Sequence, residues 1–256
     1  MKNIHCLFLM TVAFCIATLR LQGQATQETT GKAYKNVIRY DLSGALLYGP
    51  DRHIVFGYER VLKNNQSISI NVGKASLFTA DRNDIKTDSF SFNDDLKNNG
   101  FKINADYRFY LKKENKYQAP HGVFIGPYAA FAQFKRDNQW AYTDPNSQGK
   151  LVQTNLTMNI FTVGGEMGYQ FILGKRVALD FVLIGPGFGY YKINAKIKSD
   201  LSQAQKEELR GAIKDLITEK FPGLNNILAN KNFDNEGDIR TWNFGYRYII
   251  HIGYVF

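Results

Sequence analysis

The chain has 256 residues, room for one large β domain or two small ones. Its 15 Tyr, 19 Phe and 22 Gly against only 6 Pro suit strands and turns better than helices. The net charge of +9 is scattered without a basic helix or stripe, which argues against a nucleic-acid-binding protein and suits an anionic membrane surface better.

The chain opens on a secretory pattern. Lys2 is a short basic region, Ile4 to Leu19 is mostly apolar, and Gly23-Gln24-Ala25 supplies the small residues of a cleavage site. Residues 1–25 are therefore expected to be a removed signal peptide, followed by a short N-terminal segment, 26–35. Cleavage would remove Lys2 and Arg20 and no acid, taking the charge from +9 to +7. Both cysteines, Cys6 and Cys15, would leave with it, so the mature chain is expected to hold no disulfide. Lipidation at Cys15 is disfavoured by the large Phe14 before it.

Beyond residue 25 no apolar run is long enough for a membrane helix. What recurs is alternation. In "NVIRYDLSGALLY" Ile38, Tyr40, Leu42, Leu46 and Tyr48 oppose Arg39, Asp41 and Ser43, predicting a strand over 36–48. "HIVFGYERVL" (53–62) and "SISINV" (67–72) repeat the pattern. In "GFKINADYRFYL" Phe101, Ile103, Ala105, Tyr107 and Phe109 share one face, and Lys102, Asn104, Asp106 and Arg108 the other. Further strands are predicted near 122–135, 156–173, 176–197 and 239–256, which makes eight. "FIGPYAAF" and "LIGPGFGYY" each place Pro inside a strand, so a bulge is expected at Pro127 and at Pro186.

Alternation of this kind fits a transmembrane β-barrel, a soluble sandwich or a lipocalin-type barrel. Two features favour the membrane. Aromatics gather near strand ends (Tyr48, Tyr58, Tyr107, Phe109, Tyr169, Phe171, Tyr254, Phe256), as interfacial girdles would place them. The connections also alternate, short at "KNNQ" and "GK" and long near 80–99, 136–155 and 198–237. The expected fold is thus all-β: an eight-stranded antiparallel transmembrane barrel over 36–256, with short periplasmic turns and long extracellular loops. One amphipathic helix is predicted at about 200–221, with Leu201, Leu209, Ala212, Ile213, Leu216 and Ile217 on its apolar stripe.

The inward faces are expected to hold Arg39, Asp41, Glu59, Lys102, Asp106, Arg108, Glu166, Asp180, Lys192 and Arg247, five acids against five bases. An eight-stranded barrel is about filled by its own side chains, and buried charges must pair. Equal numbers of each sign suit a plug, whereas a selective pore would show an excess of one sign. Of the mature histidines, His251 points inward and His53 is expected near the outer rim beside Asp51. No serine stands at a recognisable spacing from either. The acids Asp81, Asp84, Asp88, Asp94 and Asp95 do not follow a calcium-loop spacing. No catalytic residue, metal or cofactor is therefore expected.

With its signal peptide, eight alternating strands, "NVIRYDLSGALLYG...VFGYERVL" opening, "GPY" and final "GYVF", the chain resembles small Gram-negative outer-membrane β-barrels. These are of the OmpX and OmpA-transmembrane-domain type, within a porin-like superfamily, and the resemblance covers 36–256. It implies a bacterial outer-membrane address and a monomer in contact with lipid and lipopolysaccharide. It also implies that the last strand, with Tyr254 and the terminal Phe256, is an insertion signal read by the outer-membrane assembly machinery. The role expected is structural, or interaction through the surface loops with an extracellular partner. A small-solute channel and an outer-leaflet lipid-modifying enzyme are the alternatives.

Overall fold

The computed structural model describes residues 34–63, 65–77, 86–142, 150–220, 224–225, 228 and 231–256. The expected signal peptide, Asp81 and Asp84 lie outside them. Eight antiparallel strands close into a barrel in sequence order. They are β1 (Asn36–Asp41), β2 (His53–Lys63), β3 (Gln66–Ala75), β4 (Phe90–Tyr110), β5 (Gly122–Tyr142), β6 (Lys150–Leu173), β7 (Val177–Ile197) and β8 (Asp238–Val255). Closure is made by β1 against β8, and at its lower end Asn36 and Phe256 exchange backbone hydrogen bonds of 3.1 and 2.9 Å.

The wall is inverted relative to a water-soluble barrel. Inside stand Glu59, Ser67, Ser69, Asn71, Asn104 and Asp106, all buried. Outside, at the alternating positions, stand Ile54, Phe56, Tyr58, Ile68, Ile70, Val72 and Ile103, all exposed. A period of two makes this an either/or choice, because a one-residue slip would exchange the two sets. Hydrogen bonds and ion pairs among the inward side chains favour this register.

The strands differ in height. β1 to β3 have 6, 11 and 10 residues, whereas β4 to β8 have 18 to 24. The longer strands rise above the ring as a curved sheet. Helix α2 (Gln203–Lys220) closes its concave face, burying Leu209, Ala212, Ile213, Leu216 and Ile217 against Phe90, Phe92, Trp140, Met158 and Ile193. Ser202 and Gln205 start the helix as a reciprocal capping box: Gln205 N–H donates to Ser202 Oγ, and Ser202 N–H donates to Gln205 Oε1. The stripe read from the sequence is the buried face. Leu201 lies partly buried at its edge.

Several sequence expectations need correction. Much of the predicted loops 80–99 and 136–155 is strand, for β4 begins at Phe90 and pairs with β5 as far as Tyr142. "FSFNDDLKNNG" hides this, because register shifts at Phe92/Asp94 and Asp95/Lys97 break its alternation. The predicted strand 36–48 stops at Asp41, and Leu42–Tyr48 form helix α1. The inward Asp41 carboxylate caps that helix by accepting from Gly44 N–H at 2.9 Å, and Gly49, at φ 97°, ends it. Pro127 carries no register shift, whereas the expected bulge near Pro186 falls just before it, at Leu183 and Ile184, which are both exposed.

Candidate functional site

The lower lumen is the most highly organised polar region of the described residues. Arg39 and Arg108 lie at its centre, both nearly inaccessible. Arg39 donates through Nη1 to Asp180 Oδ2 (2.8 Å), through Nη2 to Ser69 Oγ (2.5 Å) and through Nε to Asn71 Oδ1 (2.8 Å). Arg108 donates through Nε to Asp106 Oδ1 (2.6 Å) and through Nη2 to Asp180 Oδ2 (3.0 Å), with its guanidinium 4.1 Å from the Phe124 ring centre. Glu59 accepts from Ser67 Oγ (2.6 Å) and Tyr110 OH (2.8 Å) and lies 3.5 Å from Arg39. Gly57 makes room for this packing, since a Cβ there would meet Asn71 Oδ1 at 1.9 Å. Each guanidinium is forked and planar, so it can bridge carboxylates from different strands and tie the ring together across its width.

Around this centre the other predicted residues take distinct places. Glu166 lies 3.6 Å from Arg108 and accepts a hydrogen bond from Arg247, whose guanidinium stacks 3.6 Å from the Tyr128 ring centre. Asp41 forms an upper station. It accepts from Ser43 Oγ (2.9 Å), pairs with His53 Nε2 (2.9 Å) and has Lys102 Nζ at 3.5 Å. Lys192 does not belong to the lumen. The bulge at Leu183–Ile184 exchanges inside and outside for the rest of β7, so Lys192 stands on the outer face, 3.9 Å from Asp238.

Of the ten charged residues expected in the lumen, five acids and four cations therefore stand there, not five of each. Two buried histidines sit on the carboxylates: His53 on Asp41, and His251 on Asp180 through Nδ1 at 3.0 Å. His53, the first residue of β2, is buried and pairs with Asp41 rather than with Asp51; it shares the parity of Glu59 on the strand read from the sequence as 53–62. Ser67, Ser69, Asn71, Tyr110 and Gln170 also belong to the network, on the same alternation as the charges.

The arrangement holds charge rather than presenting it. Ser43 and His53 both engage Asp41, and Ser43 donates to the carboxylate rather than to the imidazole, so the order of a nucleophile, base and orienting acid is not formed. Among the described residues no group of His, Cys, Asp and Glu is placed to hold a metal. Asp94 and Asp95 stand on β4, where Asp95 makes a two-pronged ion pair with Arg136 at 2.5 and 2.6 Å. Tyr254 and Phe256 are exposed on the outer wall at the closing seam.

Comparison with known proteins gives two matches. A major outer membrane protein from Thermus thermophilus is similar in structure, at 9% identity and a TM-score of 0.35, over 88% of this chain and 100% of that one. So loose a likeness carries no argument. No curated protein matches. Neither match specifies the OmpX or OmpA type that the sequence resembles. A family profile, described as protein of unknown function (DUF3575), matches residues 54–214, well over half of the chain. The protein accordingly belongs to the DUF3575 family.

Proposed function

We propose that this protein is an integral barrel of the bacterial outer membrane with a plugged lumen, acting structurally or through its outward surface. The observation that carries this reading is the inverted wall: an apolar belt outside and an ion-paired, nearly water-inaccessible centre inside. An aqueous environment would favour the reverse, because exposed apolar patches larger than a few hundred Å² are uncommon on soluble monomers. In a bilayer the same belt is matched to its solvent, and the closed sheet leaves little unpaired backbone.

On this reading the β2–β3 connection and the turns at 111–121 and 174–176 face the periplasm, with both strand termini beside them. The raised sheet and α2 face outward. The chain is a monomer, its final strand serves as the assembly signal, and the outward cap meets lipopolysaccharide or an extracellular protein. The α2 stripe is spent on the internal core, so a partner would meet the polar side of the cap. A solute channel is less well matched, since Arg39, Glu59 and Arg108 fill the cross-section.

The test combines three measurements on the full chain. The protein should stay in outer membranes under alkaline extraction. It should shift its gel mobility on heating. It should give no stable conductance in planar bilayers. Release by alkali would refute the membrane reading, and a steady ohmic conductance would refute the plug.

A further inference from the structure

Between the ion network and the core under α2 lies a cavity of about 310 Å³. Its polar side is formed by Asp41, His53, Lys102 and Arg247, and its back by the small side chains of Ala130 and Ala132 with Ile160 and Thr162. The remaining side is a seam. Ser43, Gly44 and Leu47 of α1 stand on one margin, and residues 245–249 of β8 on the other.

The seam exists because α1 takes seven residues out of the wall. β1 pairs with β8 only as far as Asp41 opposite His251. Above that level β8 has no strand partner on this side. Its amides show the direction: Phe256 N–H donates to Asn36 O, Ile250 N–H to Ser43 Oγ and Phe244 N–H to Oδ1 of the adjacent Asn243. These alternate residues point away from β7, so Tyr246 and Tyr248, lying between them, turn their backbone groups to the seam as well. Unpaired backbone facing hydrocarbon costs several kcal/mol per group, and it is tolerated at membrane depth where it is buried in protein or lines a water-filled cavity.

Two further observations bear on what fills it. Among the side chains lining the cavity, the buried polar atoms left without partners are donors. Arg247 Nε and Nη1 are buried and bond to nothing, and Lys102 Nζ has only a 3.5 Å contact with Asp41. The Asp41 oxygens are already occupied by Ser43, Gly44 and His53. Meanwhile the outer lip of the seam is apolar. Leu46, Leu47, Tyr246 and Tyr248, at 75, 68, 62 and 68% exposure, are the four most exposed large hydrophobic side chains among the described residues.

We propose that the cavity is a lateral binding site for a single-chain anionic amphiphile. A carboxylate or phosphate head accepts a hydrogen bond from Lys102, beside the positive Arg247 guanidinium, and the hydrocarbon chain leaves between α1 and β8 into the bilayer. The proposal rests on the membrane reading above and adds a ligand class to it.

The probe is a long-chain fatty acid carrying a photoreactive diazirine near its carboxylate, applied to the full-length protein in isolated outer membranes. Cross-linked peptides should carry Ala130–Ala132, Leu46–Tyr48 and Gly245–Ile249. An excess of unlabelled fatty acid or alkyl phosphate should suppress them, while the alcohol of equal chain length and inorganic phosphate should not. Ala132→Phe, which fills the cavity, and Lys102→Met, which removes a donor, should each lower labelling there by about tenfold or more. Labelling of the outer wall at Ile70 and Ile103 should be unchanged, and gel mobility shift on heating shows that each variant is folded. Labelling spread evenly round the wall, or unaffected by Ala132→Phe, would overturn the proposal. So would suppression by the alcohol, which denies the anionic head, or by inorganic phosphate alone, which denies the chain. If the protein is instead released from membranes by alkali, it is the membrane reading that fails.

Discussion

Asp180→Ala is the most informative single change in the lumen. One oxygen, Oδ2, accepts from Arg39 Nη1 at 2.8 Å, Arg108 Nη2 at 3.0 Å and His251 Nδ1 at 3.0 Å. These partners come from β1, β4 and β8, so the residue links four strands of the ring. Removing it takes a charged acceptor from each of two guanidinium groups that water scarcely reaches, since the side chains of Arg39 and Arg108 are 1% and 0% exposed. Breaking a buried pair from one side costs about 3–5 kcal/mol. At about 1.4 kcal/mol per power of ten, the folded-to-unfolded ratio should fall by roughly two to three and a half powers of ten. The assay is denaturant unfolding of barrel refolded in detergent micelles, followed by the gel shift between compact and unfolded forms. An unfolding midpoint for Asp180→Ala equal to wild type would refute the reasoning, for it would mean that water enters and solvates both arginines.

Four further outcomes are expected. Ile70→Arg, on the outer wall, should lower folding yield in lipid vesicles by up to about 2–4 kcal/mol of stability, whereas Ile70→Leu should not; equal yields would contradict a lipid-facing wall. Ile213→Asp with Leu216→Asp puts two carboxylates into the core beneath the cap. Protease applied to intact cells should then cut within 203–220 while the barrel stays heat-modifiable, and free cutting of wild type there would count against an ordered cap. Deleting Phe256 removes both bonds of the closing pair with Asn36, so secretion should persist while assembled barrel declines; unchanged levels of folded protein would argue against an assembly signal. Lastly, burial raises the Glu208 carboxyl, but hydrogen bonds from Thr87 and Ser89 outweigh it and hold the group below the ordinary glutamate range. A depressed folded value means stability present above the unfolded value and lost as pH falls through the folded one. Amide exchange near Thr87 should therefore quicken below the glutamate range in wild type and lose that pH dependence in Glu208→Gln.

The sequence by itself determined the class of wall and the sign of its two faces. Alternation in 53–62, 67–72 and 100–111 is local, and a strand converts it directly into an inside and an outside. The α2 stripe was legible for the same reason, since period 3.6 from Leu209 to Ile217 is a local property and its buried face follows. The membership of the ion network was largely legible, because Arg39, Glu59, Asp106 and Arg108 lie on stretches of strand without a register shift.

Only the tertiary structure decided where that parity fails and which charges meet. One extra residue at Leu183–Ile184 moved Lys192 to the outer face; Pro186 signalled a bulge nearby, but only the register shows where it falls and that it exchanges the two faces. "LSGALLY" alternates well enough for a strand, yet it folds as a helix because the Asp41 carboxylate is available to cap it and Gly49 can end it. That choice opens the β8 edge and creates the seam. The pairing of Arg39 with Asp180 spans 141 residues of chain, and that of His53 with Asp41 depends on where two strands stop. Such contacts are set by register and shear around a closed ring, a global condition that no short window of sequence contains.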